Sequence, residues 1–591
     1  VKSARAVVRS LQKKGLVETT EREAPADPFF AAELPGEPLP TLNRAQELAV
    51  AAIVRELGAT STSAVQERDR NRVAAFLLHG VTGSGKTEVY LRVIAEARAR
   101  GLGALVLVPE IALTPQLVAR FRARFGDSIA VLHSGLRPRE RHQAWRSLRE
   151  AKMSLAIGAR SALFAPVQRL GVVVVDEEHD GSFKQEEGFR YHARDMALLR
   201  AHRAGAVAVL GSATPSLESY FRAEQGKLRL LSLPERATAH RLPRVEVVDL
   251  SRHRGGPSPQ RLLSGPLHQA LRECLEAKSQ AILFLNRRGF APSVVCDSCG
   301  EILECPACSV ALTEHRRAGL LRCHYCDYST PPMTTCPSCG ATALQSLGLG
   351  TERLQDDLSA AFPGARVARL DRDTAAGEGV ERVLERVRRG EIDILVGTQM
   401  VAKGHDIPGV TLVGVVLADQ SLAFPDFRAA ERTFQLLAQV AGRAGRGERP
   451  GRVVVQAYQT NHEAVRCAAE HDFVGFYRAE LRARRELGYP PFARMVAVRI
   501  EAGSEEIARQ AAGTLASLAQ QHPLVRQRQV RVLGPAPAPI ARLRARYRFR
   551  ILLFSSNRSA LHEIASALNA RIDQGLAPAR ASLDVDPVSM L

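Results

Sequence analysis

Apolar residues in this chain gather in short unbroken runs, and polar stretches of helical periodicity separate them. Runs at 74–78, 105–110, 130–135, 155–161, 172–175 and 206–210 are too short for helices and lack the alternation of a half-exposed strand. They predict strands covered on both faces. Segments such as 47–57 and 88–94 carry the helical pattern between them, so strand and helix alternate and a parallel sheet follows. A second series at 281–285, 366–370, 393–399 and 412–417 repeats the plan. The expected fold class is α/β, with two parallel-sheet lobes. A Pro- and Arg-rich stretch from 234 to 266 marks the crossing between them.

The turn after the first run carries the chemistry. Gly80, Val81, Thr82, Gly83, Ser84, Gly85, Lys86 and Thr87 form G-x-x-x-x-G-K-T between a buried strand and a helix N-terminus. Glycines let backbone N–H groups converge on one anion, which the helix dipole also favours. Lys86 then reaches the β- and γ-phosphates of a nucleotide such as ATP, and the Thr87 hydroxyl reaches magnesium. Upstream, Gln46 can read an adenine edge with its two-faced amide. The run at 172–175 delivers Asp176 and Glu177, suited to holding Mg2+ and to orienting and deprotonating a water. His179 would couple nucleotide to the second lobe, and the small hydroxyl turn at 211–215 would relay the state of the γ-phosphate. In the second series, Gln439, Arg443 and Arg446 fall in a helical segment from which arginines can cross a cleft to that phosphate. Structural salt bridges are the ordinary use of such spacing.

Composition narrows the partners. The formal charge of +19 over 591 residues favours a polyanion. No apolar stretch is long enough for a membrane span and no secretory leader is visible, so a cytoplasmic protein is expected. Eight of the ten cysteines stand in four C-x-x-C pairs, Cys296/Cys299, Cys305/Cys308, Cys323/Cys326 and Cys336/Cys339. Such knuckles read as two four-cysteine zinc sites rather than disulfides. Which pairs share an ion is open from spacing alone, although an ordinary ribbon interval favours nesting: Cys305, Cys308, Cys323 and Cys326 inside, Cys296, Cys299, Cys336 and Cys339 outside. His315 and His324 are then not ligands.

Two further segments bear on nucleic acid. Lys184, Phe189, Arg190 and Tyr191 interleave aromatic and basic residues just past the carboxylates, where bases can stack and cations track phosphates. At the start, residues 1–24 suggest the recognition helix and wing of a winged helix whose beginning is missing. A Pro-rich linker at 25–40 follows, and 58–72 is polar enough to be a flexible insertion.

Together, Gly80 to Tyr90, the segment 108–116 (V-P-E-I-A-L-T-P-Q), Asp176 to Asp180, the segment 188–195, Gly211 to Pro215, the segment 285–291 (L-N-R-R-G-F-A), the eight cysteines, 397–400 and Gln439 to Arg446 resemble the superfamily 2 helicases, and among them the primosomal replication-restart helicases of the PriA family. The likeness covers about residues 40–591. It implies two RecA-like lobes, at 41–235 and 236–455, with a zinc insertion at 296–340 in the second and a C-terminal α+β domain at 456–591. It implies an ATP-driven 3′ to 5′ DNA helicase with ATP, Mg2+ and two Zn2+. The implied partners are forked, duplex and single-stranded DNA, single-stranded-DNA-binding protein, and primosome or helicase-loading proteins, met by a monomer associated with the nucleoid. A double-stranded DNA translocase and a zinc-dependent assembly platform are the competing readings. Within 542–550, arginine alternates with Leu543, Ala545, Tyr547 and Phe549, which predicts one strand with a basic, DNA-facing side including Arg546 and Arg548. The family's N-terminal domain that captures a 3′ end is absent from this sequence, and Phe189 stands where the family has Trp.

Overall fold

The first sheet explains its own apolar runs. The computed structural model describes residues 11–16, 40–57, 74–237, 242–253, 262–285, 294–296, 298–315, 319–346, 351–370, 379–398, 407, 409–444 and 451–590. Its first strands are β1 (Ala75–Gly80), β2 (Gly103–Leu107), β3 (Ile129–Leu132), β4 (Leu155–Gly158) and β5 (Leu170–Asp176). After a short hairpin of β6 (Lys184–Gln185) and β7 (Tyr191–His192) come β8 (Val207–Ser212) and β9 (Arg229–Leu233). All but the hairpin pair in parallel in the order β3-β4-β2-β5-β8-β1-β9. Strands β2, β3, β4 and β8 are buried throughout, as continuous apolar runs require. Edge strand β9 leaves no such run in the sequence, because the exposed Arg229 and Ser232 break it.

Of the helices around this sheet, α1 (Arg44–Glu56) and α2 (Lys86–Ala99) pack on one face. Further along, α3 (Pro138–Arg149) lies beside β3, and α4 (Leu217–Glu224) follows β8.

A second parallel sheet contains β10 (Arg244–Asp249) and β11 (Gln280–Phe284). A cysteine-rich insertion then carries β12 (Val294–Cys296), β13 (Thr313–His315), β14 (Leu320–Arg322), β15 (Ser329–Thr330) and β16 (Leu344–Ser346). The sheet resumes with β17 (Val367–Leu370), β18 (Ile394–Gly397), β19 (Val410–Val415) and β20 (Arg452–Ala457), in the order β10-β20-β19-β11-β18-β17. These are the two RecA-like lobes. Helix α5 (Ala429–Ala441) turns the second lobe toward the first, and one buried cluster runs from Leu77, Val175 and Leu210 through to Phe284, Val413 and Leu437.

The chain continues through α6 (Phe473–Leu487) into an antiparallel sheet of β21 (Arg494–Ala502), β22 (Arg531–Leu543), β23 (Arg546–Ser555) and β24 (Arg580–Val585), ordered β22-β23-β21-β24. Helices α7 (Glu505–Gln521) and α8 (Arg558–Asp573) cover one face through Val496, Val498 and Ile551. The cysteine-rich insertion covers part of the other, where Leu303, Cys308 and Tyr325 meet Met495, Leu552 and Phe554.

The arginine alternation at 542–550 is not one strand. Arg544 and Ala545 have φ of 50° and 61°, closing a two-residue turn between β22 and β23 and pairing Leu543 with Arg546. Beyond residues 11–16, the winged-helix and linker expectations at 1–39, and the insertion at 58–72, lie outside the described residues. Among the described residues no helix is long and apolar enough to cross a membrane.

Candidate functional site

The phosphate loop is shaped by its glycines. Gly83 and Gly85 take φ of 82° and 79°, a region open to glycine and strained for most other residues. A Cβ on Gly80 would overlap Ser84 Oγ, and one on Gly85 would overlap the Gln46 amide. Ser84 N–H closes the loop on the Val81 carbonyl at 2.9 Å, and Lys86 Nζ donates to the Gly80 carbonyl at 3.0 Å. Thr87 follows Lys86 in the first turn of α2.

Gln46 is spent on this loop. Its Oε1 accepts from Asn43 N–H at 2.9 Å in a reciprocal cap of α1, while its Nε2 donates to the Ser84 carbonyl at 2.9 Å. Both faces of the amide are occupied, so here Gln46 braces the backbone that would receive phosphate.

The carboxylates follow β5. Tyr90 Oη donates to Asp176 Oδ1 at 2.9 Å, and burial with Glu177 close by pushes the Asp176 carboxyl up to about 6 despite Lys86. A bound divalent cation reverses that balance by favouring the carboxylate. Gly211 makes room for the contact, since a Cβ there would run into Tyr90 Oη. Glu177 turns off the strand with φ of 49°, and its Oε2 is buried with no hydrogen-bond partner. Strain and an orphaned acceptor together mark a site built for something other than stability.

Glu178, which periodicity does not single out, is fully buried. It accepts from Ser216 N–H at 2.7 Å, Ser219 Oγ at 2.8 Å and Arg194 Nη1 at 3.1 Å. The third acid of the row therefore locks the carboxylate turn to the turn after β8.

Lobe two meets this surface directly. His179 Nδ1 lies 2.7 Å from Ser212 Oγ, and its Nε2 lies 2.8 Å from the Gln439 amide nitrogen. At Gly442 an added Cβ would stand 2.6 Å from Thr82 Cγ2, so the end of α5 rests on the phosphate loop. Arg443 is one residue past that contact; Arg446 lies outside the described residues. Behind it, Glu431 accepts from Leu217 N–H at 2.9 Å and from buried Arg484 at 2.7 Å, and Arg428 pairs with Glu218 at 2.8 Å. Arg484 on α6 escapes sequence reasoning too, because one arginine in a basic helix carries no distinguishing pattern.

The cysteines form two groups, Cys296/Cys299/Cys336/Cys339 and Cys305/Cys308/Cys323/Cys326. Sulfur pairs Cys296/Cys339, Cys299/Cys336 and Cys305/Cys326 stand 3.7 Å apart. A tetrahedral ion with Zn–S of about 2.3 Å places its sulfurs about 3.8 Å apart. The donor sets fit two tetrathiolate zinc sites with nested pairing. Strand β12 pairs with β16 to bring the outer pairs together, and neither group contains His315 or His324. His324 is instead buried with Nδ1 2.7 Å from the Pro537 carbonyl.

The residues expected to touch DNA divide. Lys184 is 5% exposed, its Nζ 2.8 Å from Asp584 and donating to the Val585 carbonyl at 2.7 Å. It is not presented to solvent, and its expected phosphate contact is corrected to a tether on β24. Arg190 also donates to that strand, at the Leu583 carbonyl. Phe189 is 75% exposed, with the Tyr191 ring 5.9 Å away, and Tyr191 in turn lies 5.2 Å from Phe164. Arg546 pairs with Glu501 at 3.1 Å, and burial lowers the Arg548 guanidinium. Further along that side of β23 the expected basic surface turns inward: Arg550 is buried, stacked on Tyr325, and donates to the His324 and Met590 carbonyls.

Four family models match the chain: a DEAD/DEAH box helicase over 59–222, the helicase conserved C-terminal domain over 348–448, the PriA DNA helicase Cys-rich region over 305–331, and the primosomal protein N C-terminal domain over 485–588. The replication restart protein PriA of Bacillus subtilis (strain 168) is 43% identical over 534 residues, covering 90% of this chain and 64% of the relative. That of Treponema pallidum (strain Nichols) is 41% identical over 565 residues, covering 94% and 84%. The chain thus spans about two thirds of the Bacillus relative's length and more of the Treponema one. A solved structure of RecG bound to a three-way DNA junction aligns over 76% of this chain and 50% of its own with a TM-score of 0.42 and 16% identity.

Proposed function

Because the chain belongs to the PriA family of replication restart proteins, we propose that it is an ATP-dependent DNA helicase that acts 3′ to 5′ at stalled or collapsed forks and D-loops and initiates primosome assembly. The observation that carries this reading is the contact of Gly442 with Thr82 and of Gln439 with His179, which puts the two lobes' motifs around one phosphate loop.

In this reading residues 80–87 receive the nucleotide's phosphates, with Lys86 leaving the Gly80 carbonyl for phosphate oxygens. Thr87 and Asp176 would hold magnesium, which neutralises phosphate charge when bound. Glu177, whose Oε2 has no hydrogen-bond partner and lies 3.6 Å from His179 Nδ1, orients the attacking water and takes its proton as the bond to the leaving ADP oxygen breaks. Arg443 and Arg446 stabilise charge on the transferred group from the second lobe. Phe189 and Tyr191 offer bases a stacking surface. Forked, duplex and single-stranded DNA are the substrates, and single-stranded-DNA-binding protein and helicase-loading proteins the partners, met by a monomer beside the chromosome in the cytoplasm.

The test is ATPase activity and strand separation with duplex, single-stranded and forked DNA, in the wild type and in Glu177→Gln. Stimulated turnover with unwinding is expected in the wild type, and retained ATP binding without turnover in the variant. Translocation without strand release would favour a double-stranded DNA translocase. If Lys86→Ala kept restart function while Cys305→Ala abolished it, the protein would be an assembly platform. Elemental analysis should give about two zinc ions per chain.

A further inference from the structure

Helix α3 lies beside β3, the edge strand of the first sheet. In the order β3-β4-β2-β5-β8-β1 the phosphate loop follows β1, five strands away, or about 24 Å at about 4.8 Å per strand. Nothing in the nucleotide reading uses this helix. Only Leu148 of its residues is buried, in the lobe's core, and Ala144 packs beside it.

One exposed flank has an unusual make-up. At about 100° per residue, Arg141, Trp145 and Arg149 fall on one line, with His142, Arg146 and Arg139 alongside, and all six are exposed. Two carboxylates border that arc at the ends of the helix. Glu140 is turned to the helix start, accepting from Arg137 N–H at 2.9 Å, and Glu150 at the other end pairs with Arg146 and Lys152. Arg139, Arg141 and Arg149 have no ion pair among the described residues. A face that need only be soluble mixes both signs. Here only Arg146 is paired with a carboxylate, the other arginines carry no ion pair, and among them stands the chain's sole tryptophan, 38% exposed.

We propose that this face of α3 is a contact for the phosphate backbone of duplex DNA, separate from the cleft between the lobes. The inference rests on the helicase reading and adds a second DNA surface to it. Cations on phosphate release counterions irrespective of base sequence. Single strands are held by series of stacking aromatics. Here one indole sits between two arginines about 12 Å apart on a straight helix, a spacing set by the helix and suited to the fixed phosphates of a duplex.

Trp145 makes the test specific, because it is the sole source of tryptophan emission. The wild type and Arg141→Ala/Arg149→Ala are titrated with blunt duplex, single-stranded DNA and a polyglutamate peptide at several salt concentrations. Expected for the wild type is a change in Trp145 emission with duplex. The double variant should bind duplex at least about tenfold more weakly, with a salt slope smaller by about 2, and keep its ATPase stimulation by single strands. Duplex binding with unchanged emission and an unchanged slope in the variant would overturn the surface while leaving the helicase reading standing. Absence of any DNA binding by the wild type would remove both. An emission change with polyglutamate but not duplex would assign the face to an acidic protein and overturn the proposal.

Discussion

The amide nitrogen of Gln439 in the second lobe lies 2.8 Å from Nε2 of His179 in the first, and Nδ1 of that imidazole lies 2.7 Å from Ser212 Oγ. With the amide donating, His179 carries its proton on Nδ1 and passes it toward Ser212, whose hydroxyl also accepts from Thr214 N–H at 3.0 Å. One ring thus ties α5, the carboxylate turn and the turn after β8. It forms a connection both lobes can bias.

Replacing Gln439 by Ala should leave nucleotide binding within about twofold. It should reduce DNA-stimulated turnover by about tenfold, the scale of an ordinary coupling energy. Steady-state ATPase with and without DNA measures this; equal losses in basal and stimulated rates would mean that Gln439 acts in chemistry rather than coupling.

Gly211→Ala should destabilise the first lobe by about 3 kcal/mol, because its Cβ would enter the space of Tyr90 Oη and push that hydroxyl off Asp176. Adding Tyr90→Phe removes the colliding oxygen. A double-mutant cycle by chemical denaturation should therefore be less than additive, and strict additivity would disprove the collision.

Lys184→Ala leaves Asp584 fully buried with Arg499, 3.0 Å away, as its remaining cation. The cost should be about 3 kcal/mol, at the low end for a broken buried pair because one partner survives. Limited proteolysis should then cut earlier at the junction of the first lobe with β24. Wild-type protection with reduced DNA affinity would instead return Lys184 to the DNA surface.

Acid should weaken the fold through two buried histidines. Burial, with Lys86 beside His79 and Arg194 beside His192, lowers these imidazoles to about 4 and about 3. The unfolded chain titrates near about 6.5 and so binds more protons than the folded one between these values. The stability each contributes is complete above about pH 6.5 and is lost as pH falls toward the folded pKa, about 2 kcal/mol from each by pH 5. Denaturant midpoints should be level above about pH 7 and decline below it, and His192→Gln should flatten part of that decline. A midpoint unchanged between about pH 7 and 5 would contradict the assignment.

What the sequence by itself determined is whatever neighbours along the chain decide. The glycines of 80–87 shape a turn through their own φ angles, each C-x-x-C closes its own knuckle, and unbroken apolar runs have to become covered strands. Such features leave a local imprint and were legible. Tertiary structure alone decided how distant residues close on one another: Lys184 on the carbonyl of Val585, 401 residues away, Gly442 on Thr82, and Arg484 on Glu431. None of these pairings has a period or spacing, since burial of one charge by another depends on where the whole chain brings them. The arginines of 542–550 mark the boundary between the two cases. Their period of two reads the same on either side of a turn, and Arg544-Ala545 contains no glycine to announce one, so only strand pairing revealed a hairpin with its deepest arginine facing inward.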